Sequence, residues 1–369
     1  MKSIVLALGI RRAFSGRFKL LLNWSKGLNS LLIITESEVT EKELDSLGVL
    51  KNHYNLLKNI GDALEVIKKI EPDFILIDDR GILSINKSYL SIIKKLKIIT
   101  YTYPIKGLWS LRGLPLKNVE STKERWKRLI GRLFNEIVLR NYVNKIRMYS
   151  DVIIAQSYTA SGILRYGYGI EPDLVLYNPV DRSIFNPKVD VETKFNSNYV
   201  TLYLGSGEGD TEISILNQIC KILKDNYYKV YAFGDKRKVK HINNCDFEYL
   251  ESLSDQELAT VYSKSKFTIV PQVDEPIGYV TLESISTGTP VLSIYPEEGI
   301  VNGYNGFYSS KKLFRNLIKK FLDDVIKNYD EYLKFYSYSL NYSELFDMND
   351  LSQRLLLYLK YTYITSGYL

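Results

Sequence analysis

Two glutamates, Glu275 and Glu283, have the spacing in this chain that best fits the chemistry of a bound ligand. Glu275 belongs to a polar loop, and Glu283 lies eight residues later, well inside the helix predicted to follow. At about 1.5 Å of rise per residue, roughly 10 Å separates the two carboxylates, about the span from a sugar across a diphosphate to a ribose. A carboxylate can hold a pair of vicinal hydroxyls. The pair fits such a ligand, although surface glutamates of any α/β domain could show the same spacing.

The segment around these glutamates predicts a parallel βαβ unit. Residues 266–270 form a β-branched and aromatic run typical of a buried strand, and residues 291–294 form another. Between them, residues 277–287 have the apolar spacing of a helix. The helix is predicted to end at Gly288-Thr289-Pro290, because glycine suits a helix C-terminus and proline cannot continue it. Strand, loop, helix and strand in this order make a βαβ unit.

The start of this helix is a candidate phosphate site. Its first amides, around Ile277, Gly278 and Tyr279, have no partner within the helix and lie at the positive end of the helix dipole. Gly278 has no side chain, so a ligand could approach the backbone closely there. These three residues are therefore predicted to bind the phosphates of the same ligand that Glu283 contacts.

Several motifs of this segment occur in one order. They are Glu275-Pro276-Ile277-Gly278-Tyr279, Leu282-Glu283-Ser284, Gly288-Thr289-Pro290-Val291, and Glu298 followed by Asn302–Phe307. The series resembles the E-P-x-G, L-E-A, G-T-P-V and E-x-V-x-x-G-x-N-G-F elements of retaining glycosyltransferases with the GT-B fold, more specifically the glycosyl transferases group 1 family. An earlier passage, residues 150–187, is similar to the family's S-D-x-I…N-G-V-D…F-x-P passage, with Pro179 in place of glycine. The resemblance covers residues 150–307.

The resemblance implies an α/β fold of two Rossmann-like domains facing a cleft, with C-terminal helices packing back on the first domain. We expect an acceptor domain at 1–188, a nucleotide-sugar domain at 189–340, with a hinge at 189–197, and a returning helix at 341–369.

The implied reaction is transfer of a sugar from a nucleotide-sugar donor to an acceptor, with retention of configuration and without a metal ion. No cofactor is expected besides the nucleotide-sugar co-substrate. Glu275 would contact the sugar hydroxyls as the catalytic residue, Glu283 would bind the ribose, and Asn178 would line the cleft on the donor side.

The chain departs from the family in the glycine-rich loop at 205–210. The arginine and lysine that hold the donor diphosphate in the family are absent after the preceding strand. Gly205 is still a predicted donor contact, although Glu208 and Asp210 disfavour a phosphate pressed against this loop. Lys236 and Arg237, which follow the strand predicted at 229–233, are the replacement cations that we expect. Arg11, Arg12 or Arg182 are alternatives. The missing cations leave open a second function, a catalytically degenerate GT-B protein that binds a ligand or partner.

The first half of the chain fits the family by architecture only. Arg11 and Arg12 follow the predicted strand 3–8, where an open α/β sheet presents ligands, so they are candidate acceptor or cleft residues or else part of a solvated turn. Tyr101 and Tyr103 stand where the family has a cleft histidine.

Asp78 and Asp79 directly follow a predicted strand, at the end where parallel sheets bind ligands. The same position would let them cap the next turn of the chain. A helix is predicted at 56–70, before that strand.

Residues 106–147 carry eleven Lys or Arg and three Asp or Glu, a net charge of +8 that exceeds the +7 of the whole chain. Basic residues beside Leu108, Trp109 and Leu111 predict peripheral contact with an anionic membrane, or else a solvated basic helix face. Nucleic acid is a disfavoured partner, since no nucleic-acid-binding motif accompanies the charge. The acceptor could be a glycan, a lipid or a protein.

Length and composition are those of a two-domain globular protein, with 369 residues, 45% hydrophobic and 25% charged. Cys220 and Cys245 provide no disulfide framework, so a reduced, cytoplasmic location is expected. The N-terminus predicts a strand rather than a signal peptide, and no run reaches the ~18 apolar residues of a membrane-spanning helix. His53 and His241 lie too far apart in sequence for a histidine-rich metal cluster.

Overall fold

The computed structural model describes residues 1–11, 15–102, 138–205, 211–243, 245–272 and 277–365. The chain forms two compact units, Met1–Tyr177 and Asn178–Leu369. The division drawn from the sequence, after residue 188 and again after residue 340, stays a prediction.

The described part of the first unit contains a sheet of seven parallel strands in the order β3-β2-β1-β4-β5-β6-β7. The strands are β1 Ser3–Leu8, β2 Leu31–Thr35, β3 Tyr54–Leu57, β4 Phe74–Asp78, β5 Lys97–Thr102, β6 Val152–Ala155 and β7 Leu174–Val175. The strand order reverses between β1 and β4, as in a Rossmann-like sheet.

Helices connect these strands. The described ones are Gly16–Gly27, Glu41–Ser46, Ile60–Ile70, Asp79–Ser84, Lys87–Ile93, 138–149 and Tyr158–Gly162, with a 3-10 turn at Lys51–His53 and a π-helical turn at Ile163–Gly167. Ile4 to Leu8 are all at most 1% exposed. Burial on both faces explains why β1 is continuously apolar rather than alternating.

The second unit repeats the architecture. Its described residues form six parallel strands in the order β10-β9-β8-β11-β12-β13, with the reversal between β8 and β11. The strands are β8 Tyr199–Tyr203, β9 Lys229–Phe233, β10 Phe247–Tyr249, β11 Thr268–Val270, β12 Val291–Ser293 and β13 Gly306–Tyr308.

The described helices of the second unit are Val191–Asn196, Ile213–Asp225, Asp255–Lys264, Tyr279–Ser286, Phe314–Phe321, Tyr329–Ser343 and Met348–Thr365. Shorter turns are Lys236–His241 and Glu344–Phe346, both 3-10, and the π-helical Leu322–Ile326. Over the described residues, no helix is long and apolar enough to cross a membrane.

The local structure differs from the sequence predictions at three places. The helix predicted at 56–70 begins at Ile60, because Tyr54–Leu57 is an edge strand and Asn59 caps the helix. The predicted hinge contains the helix Val191–Asn196, whose Lys194 is fully buried. The strand β13 was not predicted, since three residues carry too little pattern to stand out.

Candidate functional site

The candidate site is the edge of the second sheet where β8 and β11 end, called here the β8/β11 edge. Ligands bind outside the carboxyl ends of parallel strands at the point where the strand order reverses. Leu202 of β8 pairs with Ile269 of β11, so the two strands end side by side. Gly205 follows β8 there, and the chain after β11 leads into the helix Tyr279–Ser286.

The start of the helix Tyr279–Ser286 is held by buried polar contacts. Ile277 is fully buried, and its carbonyl accepts a hydrogen bond from Asn178 Nδ2 at 3.1 Å. The hydroxyl of Tyr279 donates to the carbonyl of Pro179 at 3.2 Å. Gly278 is the N-cap and supplies no capping side chain. Asn178, predicted to bind the donor, therefore positions the backbone at the candidate phosphate site.

A carboxylate accepts the hydrogen bond of the first amide at this helix start. Gly278 N donates to Glu297 Oε2 at 3.2 Å, and the hydroxyl of Ser293 donates to Glu297 Oε1 at 3.2 Å. Glu297 is 2% exposed. Its charge complements the positive end of the helix dipole. Sequence reasoning missed Glu297 because the motif pointed to its neighbour Glu298.

The loop that carries Glu297 packs against the helix through a glycine and an asparagine. Asn305 is fully buried, accepts from Val301 N at 2.7 Å and donates to the carbonyl of Gly299 at 3.0 Å. A Cβ on Gly299 would lie 2.9 Å from Thr281 Cγ2. Only glycine therefore allows the loop to lie this close to the first turn of the helix.

Glu283 lies deep in the same helix, 2% exposed. Burial raises the pKa of Tyr262 well above its ordinary value, and the Glu283 carboxylate close by raises it further. Glu283 is thus a buried carboxylate beside a tyrosine that stays protonated. Glu275, the predicted catalytic residue, lies outside the described residues.

The two predicted replacement cations each contact a carboxylate. Lys236 Nζ lies 2.9 and 2.7 Å from the two carboxylate oxygens of Glu251. Arg237 Nε and Nη2 each donate to Asp235 at 2.9 Å. Both cationic side chains are exposed, at 65% and 58%. The hydrogen bond from Lys236 to Glu251 raises the pKa of Lys236.

A third cation of the same turn, Lys238, lies at the β8/β11 edge, and sequence reasoning missed it. Lys238 is 7% exposed, and its Nζ donates to the carbonyl of Leu204 at 2.7 Å, directly after β8. Asp235 N also donates to the carbonyl of Gly205 at 2.9 Å. A Cβ on Gly234, which has φ +114°, would lie 2.6 Å from that carbonyl. The glycine lets the turn close over the end of β8 and bring Lys238 inward.

The corresponding edge of the first unit contains an ion pair. The guanidinium of Arg17 contacts the carboxylate of Asp78, with Nη2 to Oδ1 at 2.8 Å, and also donates to the carbonyl of Leu8 at 2.8 Å. Asp78 accepts from Gly81 N at 3.1 Å and so caps the following helix. Asp79 accepts from the hydroxyl of Tyr142 at 3.0 Å. The capping interpretation of Asp78 is confirmed.

The residues of the first unit that were predicted to line the acceptor site or cleft do not form one site among the described residues. Arg11 is exposed. Tyr101 is fully buried, donates its hydroxyl to the carbonyl of Leu176 at 2.9 Å and packs against Trp24, with ring centroids 5.8 Å apart. These are the contacts of a core residue. Arg12 and Tyr103 lie outside the described residues, as does the basic segment from 106 to 137.

Arg182, an alternative candidate cation, is part-buried and lies 4.0 Å from the carboxylate of Glu344.

Within the described ranges, no group of three or more His, Cys, Asp or Glu side chains is arranged to hold a metal ion.

Two Rossmann-like α/β domains with parallel sheets of matching strand order define the GT-B class of fold, and the fold class predicted from the sequence is confirmed. A glycosyltransferase from Rickettsia africae matches 97% of this chain and 98% of its own, with TM-score 0.64 and 17% identity. Anabaena HepE in complex with UDP-glucose matches 98% of this chain and 100% of its own, with TM-score 0.64 and 15% identity. Likeness at these identities shows the fold.

Comparison by sequence matches only part of the chain to known proteins. No model of a protein family matches it. Over 204 residues the chain is 26% identical to the O-antigen chain mannosyltransferase RfbU of Salmonella typhimurium. The matched segment covers 50% of this chain and 56% of that relative. The chain spans about half the length of the curated relatives it matches.

Proposed function

We propose that this protein is a glycosyltransferase that moves a sugar from a nucleoside-diphosphate sugar to an acceptor, with retention of configuration and without a metal ion. The observation that carries the proposal is the helix Tyr279–Ser286, which begins at the β8/β11 edge and already holds the carboxylate of Glu297 at its N-terminus. The likeness to a mannosyltransferase and to a fold that binds UDP-glucose supports the donor class.

The helix start supplies positive potential where the donor diphosphate leaves. Negative charge grows on the diphosphate as the bond to the sugar breaks, and fixed amide dipoles stabilise that charge without reorganising. Gly278 N donates to Glu297. The diphosphate therefore uses the next amides of the first turn, those of Tyr279 and Val280, or displaces the carboxylate.

The two glutamates of the motif then act on the two ends of the donor. Glu275, in the loop before the helix, contacts hydroxyls of the transferred sugar. Glu283, buried beside Tyr262, binds the ribose. Retention of configuration, and the assignment to the group 1 family, rest on the motif resemblance.

The acceptor end belongs in this proposal to the first unit, with Arg11, Arg12 and Tyr103 as its contacts. Residues 106–147, with their net charge of +8, bring the enzyme to an anionic membrane, where each basic residue contributes on the order of 1 kcal/mol. Sedimentation with phosphatidylserine vesicles tests this. Binding that does not weaken as salt rises would contradict it.

The function is tested by incubating the purified protein with UDP-, GDP-, ADP- and dTDP-sugars and measuring release of the nucleoside diphosphate. We expect release with one donor class, unchanged by EDTA, and product with the anomeric configuration of the donor by NMR. Nucleotide binding without release, across lipid, glycan and protein acceptors, would favour the catalytically degenerate binder instead.

A further inference from the structure

We propose that Cys220 and Cys245 form a reversible disulfide, which links the helix Ile213–Asp225 to the segment before β10. The two residues lie far apart in sequence, on different elements, and no local pattern shows that they meet. The disulfide is independent of the proposed function. Cys245 precedes β10, at the end of the sheet where the parallel strands begin, opposite the β8/β11 edge.

Asn217 fastens the segment before Cys245 to the helix that carries Cys220. Its Nδ2 donates to the carbonyl of His241 at 3.1 Å, and its Oδ1 accepts from Asn243 N at 2.7 Å. Cys220 lies one turn after Asn217 in the helix, so the two side chains are neighbours on one face. Cys245 follows shortly after Asn243. A single side chain thus brings the two cysteine-bearing segments together.

The residue after Cys245 is also held in place. The carbonyl of Asp246 accepts from Val230 N of β9 at 3.0 Å, where the pairing of β9 with β10 begins. Cys245 therefore lies between two backbone positions, Asn243 and Asp246, that are each fixed by a hydrogen bond. Disulfide geometry tolerates little error, so a specific disulfide needs positions fixed in this way.

The two thiols meet in the core of the second unit. Cys220 is fully buried within its apolar cluster, and the half-buried Cys245 packs against the same cluster. The Cys220 thiol donates a hydrogen bond to the sulfur of Cys245. This hydrogen bond, together with burial and the charge of a Cys245 thiolate, raises the pKa of Cys220 above its ordinary value. Cys220 therefore stays protonated, and Cys245, the more exposed thiol, reacts first with an oxidant.

Exchange with a low-molecular-weight disulfide, such as glutathione disulfide, balances the reaction. The Cys245 thiolate attacks one sulfur of the small disulfide, which forms a mixed disulfide and releases a small thiolate. Cys220 gives its proton to that thiolate, and its sulfur attacks Cys245 Sγ. The second small thiolate leaves and takes up the proton that Cys245 had given to water. The two cysteines lose two electrons, and the small disulfide gains them.

The alternative role for the pair is packing, because a reduced cysteine behaves as a small hydrophobic residue. The two roles differ in what oxidation does. A packed pair leaves Cys220 shielded, so an oxidant modifies Cys245 alone or couples two copies of the chain through it. A disulfide removes both thiols within one chain and closes a loop, which stabilises the folded state by restricting the unfolded one.

The test is incubation of the folded full chain with glutathione disulfide at about pH 8, after removal of reductant. Because the chain has two cysteines, intact mass and thiol counting report on this pair alone. We expect loss of both thiols, a mass lower by two hydrogen atoms and no disulfide-linked dimer. The melting temperature should rise by about 5 °C or more. Dithiothreitol should restore both thiols and the original melting temperature.

Cys245→Ser is the matched control, and its melting temperature should not rise on oxidation. Cys220→Ala removes the buried thiol without burying a hydroxyl, and this variant should retain glutathione on Cys245. Asn217→Ala should slow disulfide formation severalfold, whereas Gln218→Ala, at the exposed next residue, should not.

Three results with wild type would overturn the proposal: glutathione retained on Cys245 while Cys220 stays free, a disulfide-linked dimer, or two unreacted thiols. An undiminished rate in Asn217→Ala would contradict the positioning of the pair by that side chain.

Discussion

The carboxylate of Glu297 accepts a hydrogen bond from the amide of Gly278 at 3.2 Å, nineteen residues away in sequence. The contact joins the loop before β13 to the start of the helix Tyr279–Ser286. Because Ser293 donates to the other carboxylate oxygen, Glu297 also connects the helix start to the end of β12. The buried carboxylate of Glu297 thus fixes three elements relative to one another: its own loop, the helix start and the end of β12.

Glu297→Gln should lower the free energy of unfolding by about 1 kcal/mol, because the positive end of the helix loses its buried anion. Urea denaturation measures the change. Glu248→Gln, an exposed glutamate of the edge strand β10, is the control and should leave stability within about 0.5 kcal/mol of wild type. An equal effect of both substitutions would contradict a specific role for Glu297.

Glu283→Ala should weaken binding of the free nucleoside diphosphate more than Glu275→Ala does, since Glu283 is assigned to the ribose and Glu275 to the sugar. Glu275→Ala should mainly lower turnover. Titration calorimetry and release assays separate the two effects. Because Glu283 is 2% exposed, Glu283→Gln, which keeps the volume, serves as the folding control. Unchanged affinity in Glu283→Ala would remove the ribose assignment.

Lys194→Met should destabilise the protein by about 3 kcal/mol. Lys194 is fully buried, and its Nζ donates to the carbonyl of Thr287 at 2.8 Å, to the hydroxyl of Thr289 and to the carbonyl of Tyr262 at 3.5 Å. Methionine fills the space but leaves these oxygens without the donor. Denaturant unfolding measures the loss. Lys224→Met, at an exposed lysine, should have almost no effect, and a similarly small loss for Lys194→Met would contradict this role.

Stability should rise with pH between about 8 and about 10.4 through Lys266, whose pKa burial lowers to about 8. In that window the unfolded chain binds more protons than the folded one, so each rise in pH favours the folded state. Below pH 8 both states are protonated and this contribution does not vary.

The measurement for Lys266 is the free energy of unfolding at a series of pH values from 7 to 10. Lys266→Met should flatten the rise relative to wild type, and Lys264→Met, an exposed neighbour, should not. Burial also lowers the pKa of Lys194, so part of the rise persists in Lys266→Met. Identical slopes for wild type and Lys266→Met would contradict the shifted pKa.

Several elements could be predicted from local sequence because their determinants lie within a few residues. β1 and β9 have the predicted bounds, Ser3–Leu8 and Lys229–Phe233. The capping box at Ser254 and Glu257 forms as its spacing indicates. Gly288 adopts φ +72°, as a glycine after a helix often does. Strong periodicity and short-range hydrogen bonds decide such features without help from the rest of the fold.

Local sequence patterns predicted the α/β class, a helix at 277–287 that the structure places at Tyr279–Ser286, and the candidate ligand residues on it. Tertiary contacts set which charged side chains are buried at the β8/β11 edge. Lys236, Lys238 and Lys240 are equivalent in sequence, yet Lys238 alone of these three is buried, because Gly234 lets the turn close on the end of β8. Likewise the carboxylate of Glu297, rather than that of Glu298, accepts the hydrogen bond from Gly278 N. Burial and partner choice depend on residues distant in sequence, and no local pattern encodes them.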